Sequence, residues 1–300
     1  MTIQTASPND TEQGEWVLTL VCADRPGIVH TVSGAVVAAS GNIVELQQFS
    51  SSGDNGGGHG GGGRFFMRLH VETPVGEDVL RSHLGRAAEQ LDADWTLDRV
   101  GRPIRTLVLA SKAGHCLNDL LFRQRSGWLP VEIPLVLSNH PDLAPLAEFY
   151  GVPFADHVVL PETKADFEQL VLDAVEEHRI ELVVLARYMQ ILSPELCAAL
   201  AGRAINIHHS FLPGFKGANP YRQAHGRGVK LIGATAHFVT SDLDEGPIIE
   251  QNVVRVDHSK SVKELVAIGQ DEESRTLTEA VKLFAERRVL LDGSRTIIFR

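Results

Sequence analysis

Three polar side chains in the second half of the sequence have the types and spacing needed to transfer a small acyl group. Asn206 and His208 stand two residues apart in the stretch AINIHHS, and Asp244 follows in a later loop. Residues two apart in a strand point to the same face, so the amide and the imidazole are expected side by side. The histidine can protonate a leaving group, the amide can donate to a developing oxyanion, and the aspartate can hold the histidine in its charged form.

The same residues also have explanations that need no catalysis. Asn206 and His208 could form a hydrogen-bonded pair that fixes the next loop, because polar groups at the end of a buried strand need partners. Asp244 could be a solvated residue of the acidic turn SDLDEGP. We expect His209 to be structural, since it points away from His208 in a strand. No metal is expected, because the sequence contains neither the HxH nor the HExxH arrangement of zinc ligands.

The composition limits the kinds of partner. The 300 residues carry a formal net charge of −10, which argues against nucleic acid, because binding its phosphates needs a basic surface. Cys22, Cys116 and Cys197 are scattered and odd in number, which favours a reducing cytoplasm over a disulfide framework. The polar N-terminus lacks the apolar core of a signal peptide, and no apolar run is long enough to span a membrane.

The first hundred residues predict a small domain that precedes the candidate chemistry. Residues 1–14 are polar and are expected to be a disordered tail. Residues 15–100 alternate strand and helix patterns in the order β-α-β-β-α-β, which is typical of a ferredoxin-like fold. The glycine-rich stretch SSGDNGGGHGGGG, centred on residues 53–63, predicts a flexible hairpin tip and fits no phosphate-binding pattern.

The pattern changes after a predicted linker at residues 101–104, GRPI. In residues 105–300, apolar strands such as ELVVLA alternate with amphipathic helices such as DFEQLVLDAVEEHRI. This alternation predicts an α/β domain with a Rossmann-like, doubly wound parallel sheet, whose site lies at the carboxyl ends of the strands. The late stretch RTIIF predicts a further edge strand.

Two linked motifs resemble the folate-dependent formyltransferases. INIHHSFLP followed by GATAHFVTSDLDEGPIIEQ has this family's Asn-x-His strand and its later Leu-Asp-x-Gly-Pro loop in the correct order. The resemblance implies catalytic roles for Asn206, His208 and Asp244. RYMQILSPE is similar to the family's folate-pocket loop, which implies that residues 189–192 (Met189, Gln190, Ile191 and Leu192) line a pterin pocket. Gln190 stands where the family frequently has arginine, so a charged contact to the folate is expected to be absent.

Residues 15 to 300 as a whole are most similar to the hydrolytic branch of this family, which couples the catalytic domain to an N-terminal ACT domain. ACT domains are small regulatory modules that often bind amino acids and usually pair. The resemblance therefore implies an effector such as glycine or methionine and a homo-oligomer, either a dimer or a tetramer. The effector site is predicted at the DRPG turn and the start of the next strand, which comprise Asp24, Arg25, Pro26, Gly27 and Asn42.

The resemblance implies hydrolysis of 10-formyltetrahydrofolate to tetrahydrofolate and formate, with no cofactor beyond the folate substrate. Such a reaction would supply formate for purine synthesis and balance the one-carbon folate pools. One alternative is transfer of the formyl group to an amine, as in glycinamide ribonucleotide transformylases. Their Gly-x-Gly-Ser-Asn phosphate turn is missing from ASKAGHCLNDLL, although Lys112 could still bind an anion. A second alternative is an amino-acid sensor with an inactive catalytic domain.

Overall fold

The computed structural model describes residues 14–51, 63–212, 214 and 220–300. The chain divides into two compact units, and the division falls between Arg102 and Pro103, inside the predicted linker. The first unit also includes Phe299–Arg300. The predicted tail and glycine-rich loop lie outside the described residues, except at their ends; Gly14, assigned to the tail, instead begins the first strand.

The first unit is a four-stranded antiparallel sheet in the order β2-β3-β1-β4, with two helices between its strands. Apolar side chains at helical spacing, such as Ile28, Val32 and Val36, are buried against the sheet in one hydrophobic cluster. The elements are β1 (Gly14–Ala23), α1 (Ile28–Ala38), β2 (Asn42–Ser51), β3 (Arg64–Thr73), α2 (Glu77–Leu91) and β4 (Asp94–Arg99).

The second unit contains a seven-stranded sheet with helices on both faces. Its first half comprises β5 (Ile104–Ala110), α3 (His115–Arg125), β6 (Val131–Ser138), a short 3-10 turn (Pro141–Leu143), α4 (Ala144–Tyr150), β7 (Phe154–Asp156), α5 (Lys164–Glu177), β8 (Leu182–Ala186) and α6 (Pro194–Ala199). Its second half comprises β9 (Ala204–His208), α7 (Pro220–Arg227), β10 (Leu231–Phe238), β11 (Ile248–Arg255), α8 (Val262–Ala285), β12 (Val289–Asp292) and β13 (Arg295–Ile298).

The sheet order β11-β10-β9-β8-β5-β6-β7 places the candidate residues near its middle. Strands β5 to β9 are parallel, whereas β10 and β11 run antiparallel to their neighbours. Leu117 of α3 and Leu277 of α8 are buried on one face of the sheet, and Phe167 of α5 is buried on the other. Because both faces are covered, the polar residues at the end of β9 must find partners inside the protein or serve a ligand.

Several short elements were not predicted from the sequence. These are α4, β7, α7 and β12, all of which are too short to give a clear apolar period. The RTIIF stretch forms the predicted strand, β13, which pairs with β12 in a separate two-stranded sheet. Within the described ranges, the chain has no helix with both the length and the apolar character needed to cross a membrane.

Candidate active site

A pocket of about 240 Å³ lies where the loop after β8 and the end of β9 meet the loop between β10 and β11. Asn206 and His208 enter it from β9, and Asp244 enters from the loop after β10. Residues 187–192 form the opposite wall. The pocket thus lies near the carboxyl ends of parallel strands, where ligands bind in sheets of this kind.

The structure brings His208 and Asp244 into direct contact. Their Nδ1 and Oδ1 atoms are 3.1 Å apart, and the two side chains are only 6% and 14% exposed. The other ring nitrogen of His208, Nε2, is buried and has no hydrogen-bond partner. A buried imidazole nitrogen without a partner normally costs free energy, so its position beside an open pocket indicates a nitrogen reserved for a ligand.

Asp244 is held as a carboxylate in a strained backbone. The hydrogen bond from His208 lowers the pKa of Asp244, and electrostatic attraction to His208 adds to this effect against the opposing effect of burial. Its φ of 59° lies in the left-handed region, which costs a residue with a side chain roughly 1–3 kcal/mol. Such strain persists where the surroundings fix the side chain, as the His208 contact does here.

Asn206 reaches the pocket beside a second histidine, His237 of β10. The amide Nδ2 of Asn206 lies 3.3 Å from Nε2 of His237. That nitrogen also lies 3.8 Å from Oδ1 of Asp244, so the four side chains form one connected polar group. The sequence offered a signal for His237, because it is polar within the buried strand IGATAHF, but it was not singled out.

The loop at residues 187–192 is anchored at both ends and presents apolar side chains. The Met189 N–H donates to Oγ of Ser111 at 3.0 Å, and the Ser193 N–H donates to a carboxylate oxygen of Glu168 at 2.8 Å. Met189 and Ile191 are 59% and 62% exposed, which is unusual for such side chains unless they contact a ligand. The predicted folate-pocket residues Met189, Gln190, Ile191 and Leu192 all line the pocket.

A buried ionic cluster lies behind this loop. Glu273 of α8 is 1% exposed and accepts hydrogen bonds from Nε2 of His115 at 2.8 Å and from the hydroxyl of Tyr221 at 2.5 Å. Arg187, which lines the pocket, brings its Nε to 3.3 Å from the same carboxylate. Burial opposes ionisation of Glu273, but these donors and positive charges outweigh it and lower its pKa.

The cluster has the residue types of a metal site but not its chemistry. His115, Cys116 and Glu273 hold ligand atoms within 4.8 Å of one another and are the one such group in the described part of the chain. Burial raises the pKa of the Cys116 thiol well above its ordinary value, so the thiol stays protonated. Arg187 already supplies a cation beside the carboxylate. These residues therefore fit a buried ion pair better than a bound metal.

His209 lies between the two polar groups. Its ring stacks on that of His208 with centroids 5.0 Å apart and is tilted against Tyr221 at 6.5 Å. Burial, together with the charges of Arg187 and His208, lowers the pKa of His209 to about 4. His209 is therefore an uncharged spacer at neutral pH, although it also lines the pocket.

The predicted effector residues of the first unit are not brought together. Asp24, Arg25, Pro26 and Gly27 follow the end of β1, where Ala23 pairs with Arg64. Asn42 begins β2 and pairs with Glu72, eight positions further along β3, which corresponds to roughly 26 Å of strand. The register therefore separates Asn42 from the turn within one chain. Gly27 takes a φ of 95° as the N-cap of α1, and Arg25 donates to the Gln90 carbonyl.

Comparison with known proteins identifies the family of the second unit and of the whole chain. The formyl transferase family model matches residues 104–281. The chain is 47% identical to a formyltetrahydrofolate deformylase of Corynebacterium sp. (strain P-1), over 96% of this chain and 99% of that protein.

Solved structures of similar proteins indicate the same family. A formyltetrahydrofolate deformylase from Burkholderia mallei ATCC 23344 matches with a TM-score of 0.90 and 50% identity, over 96% of this chain and 100% of that one. Glycinamide ribonucleotide transformylase 1 from Symbiobacterium toebii matches with a TM-score of 0.62 and 35% identity, over 68% of this chain and 98% of that one.

The uncharged state of His209 predicts how stability depends on pH. Between its ordinary pKa of 6.5 and its folded pKa of about 4, the unfolded chain binds a proton that the folded chain excludes. The free energy of unfolding should therefore fall as the pH drops through this window, by at most about 1.4 kcal/mol per pH unit for one histidine.

Urea unfolding of the wild type and of His209→Gln at neutral pH and at about pH 5 measures this effect. The His209→Gln variant should show a shallower pH dependence, whereas His225→Gln, a change at an exposed histidine, should keep the wild-type slope. Equal slopes for wild type and His209→Gln would show that His209 is not the titrating group.

Proposed function

The chain belongs to the formyltetrahydrofolate deformylase family of hydrolases, and on this premise we propose that Asn206, His208 and Asp244 carry out the hydrolysis of 10-formyltetrahydrofolate to tetrahydrofolate and formate. One observation supports this assignment above the others. His208 presents an unpartnered, buried Nε2 beside the pocket while its Nδ1 contacts Asp244 at 3.1 Å. A general acid needs this combination of an oriented ring and a free reactive nitrogen.

In the proposed reaction, a water molecule adds its oxygen to the formyl carbon. The Asn206 amide and the His208 imidazolium donate to the oxygen that becomes negative, and Asp244 stabilises the imidazolium. The carbon–nitrogen bond then breaks, and His208 gives its Nε2 proton to the folate nitrogen. The proton lost by the attacking water then passes to the neutral His208 ring and restores the imidazolium, so the products are tetrahydrofolate and formic acid, which releases its proton to water as formate.

The walls of the pocket suit the flat ring of a folate. Met189, Ile191 and Leu243 line it and are each more than half exposed, so a bound ring would cover apolar surface that is otherwise in water. Gln190 also lines the pocket and supplies an uncharged polar group. Affinity for the folate is therefore proposed to come from apolar contact and hydrogen bonds on this side, without a charged contact from position 190.

Water as the acceptor is favoured over an amine by the surroundings of the pocket. The first strand of the second unit runs into SKAGH, which lacks the glycine-rich phosphate turn of glycinamide ribonucleotide transformylases.

The first test is an assay with 10-formyltetrahydrofolate and no amine acceptor. Formate and tetrahydrofolate should appear together in equal amounts, and adding glycinamide ribonucleotide should not increase the rate. Formation of tetrahydrofolate only when an amine acceptor is present would contradict hydrolysis and favour a transferase. A protein that releases neither product under both conditions would match the sensor alternative.

The second test removes the proposed acid and its partner. His208→Ala and Asp244→Asn should each lower kcat at least about a hundredfold, because general acid–base groups typically contribute 10²- to 10⁴-fold. His258→Ala and Asp271→Asn change exposed residues of the same types and should leave kcat unchanged. Folded variants that release formate at nearly the wild-type rate would refute the assignment.

For the first unit we propose an ACT domain that pairs in a homo-oligomer, either a dimer or a tetramer. The support is the fold itself and the outer strand β2, which exposes Val44, Leu46 and Phe49 at an edge of the sheet. The three free, buried cysteines fit the proposed reducing cytoplasm. In that setting, the released formate would serve purine synthesis and help to balance the folate pools.

An amino-acid effector at the turn of residues 24–27 is proposed from the same resemblance. Calorimetric titration with glycine and with methionine should give saturable heat, and Arg25→Ala should weaken it if the turn forms the site. Asn42 lies far from the turn within one chain. A loss of heat in Asn42→Ala would therefore indicate a site shared between two protomers, and unchanged heat would indicate a site within one protomer. If neither amino acid gives heat or changes the rate of formate release, the effector proposal is wrong and the turn has only a structural role.

A further inference from the structure

His237 has a hydrogen-bond pattern that fixes the position of its proton. Its Nδ1 lies 2.8 Å from the backbone oxygen of Phe238. A carbonyl oxygen can only accept, so Nδ1 must carry a hydrogen and donate it. In a neutral ring the other nitrogen, Nε2, then has a lone pair and no hydrogen. The backbone of the next residue therefore selects the Nδ1–H tautomer.

This tautomer determines which way the Asn206 amide faces. Nε2 of His237 lies 3.3 Å from the Nδ2 of Asn206, so the amide nitrogen donates one of its two hydrogens to the ring. Rotating the amide by half a turn would place the lone pairs of Oδ1 against the lone pair of Nε2, which is repulsive. A neutral His237 thus holds the nitrogen of Asn206 in place and leaves its second hydrogen unused.

The surroundings keep His237 neutral. Burial lowers its pKa and outweighs the opposite effects of the Phe238 carbonyl and the Asp244 carboxylate, while the charge of His208 adds to the lowering. Asp244 on the loop after β10 and His208 on β9 are the charged groups that face it. A second proton on Nε2 would point at the hydrogens of Asn206 and would compete with His208 for Asp244.

The backbone is shaped to make this arrangement possible. The pairing of β10 with β11 shifts register between Ala236 and His237, which re-aims the histidine. The Phe238 N–H donates to the Pro247 carbonyl at 2.9 Å, and a Cβ at Gly246 would collide with the Phe238 oxygen. Only glycine at position 246 lets the loop that carries Asp244 pass this close to the carbonyl that orients His237.

We propose that His237 is a positioning residue that acts through Asn206, holding the amide so that its second Nδ2 hydrogen is directed to the oxyanion of the reacting formyl group. This inference rests on the proposed function, because it needs Asn206 to be an oxyanion donor. It differs from a structural role, in which His237 would only fill space in β10. It also assigns a distinct task to each histidine of the pocket, with His208 as acid, His209 as spacer and His237 as orienting acceptor.

The tautomer can be measured without any activity. In the full-length protein labelled with ¹⁵N-histidine, the resonances lost in His237→Gln identify the His237 ring. At neutral pH its Nδ1 should be protonated and its Nε2 unprotonated. Protonation at Nε2, either alone or together with Nδ1, would overturn the inference.

The coupling to Asn206 can be measured by a double-mutant cycle. His237→Leu should lower kcat at least about tenfold with little change in KM, because only the transition state uses the oriented amide. In an Asn206→Ala background the same change should have almost no further effect. An equal loss in both backgrounds would overturn the inference, since His237 would then act without Asn206.

A conservative variant separates positioning from damage to the fold. His237→Gln can place an amide oxygen near the former Nε2 and should keep kcat within a few-fold of the wild type. A kcat for the Gln variant as low as that for the Leu variant, with both melting at the wild-type temperature, would refute the need for an acceptor. If Asn206→Ala itself left kcat unchanged, the proposed catalytic role of Asn206 would fail, whatever the tautomer measurement showed.

Discussion

A histidine ring in a largely buried position needs polar partners inside the protein, and the contact between His208 and Asp244 organises the second unit. His208 enters the pocket at the end of a strand that is covered on both faces, so a partner for its ring has to come from elsewhere in the chain. Asp244 supplies it from the loop after β10, at the cost of a left-handed backbone. The close passage of Gly246 beside Phe238 belongs to the same loop and follows from the same requirement.

Two ionic groups lie next to the pocket and do not share partners. On one side, Asp244 faces His208, and on the other, Glu273 faces Arg187 and His115. The neutral ring of His209 lies between them, stacked on His208 and close to Tyr221. Because each carboxylate has its own partners, the His208–Asp244 pair and the Glu273 cluster are two separate polar groups.

The sequence predicted the longer elements because their apolar periods are clear, as in ELVVLA and the helix that begins at Lys164. It singled out Asn206 and His208 because polar side chains on a buried strand need hydrogen-bond partners or a ligand. It could not show which distant residues meet them. Glu273 shares a helix face with Leu277, so an acidic group at a buried position was visible, but its partners were not. The separation of Asn42 from the DRPG turn depends on sheet register, which composition does not reveal.

The position of Glu273 has a consequence for the order in which the second unit folds. Its partner His115 is 158 residues away along the chain, whereas only α7, β10 and the loops around them separate His208 from Asp244. During synthesis from the N-terminus, Arg187 and His115 emerge long before α8, so both must wait in water for their carboxylate. The contact of Arg187 with Glu273 therefore forms only after the last long helix has docked. A nascent chain that stops before Glu273 would have the strands of the sheet but no carboxylate for Arg187 and His115.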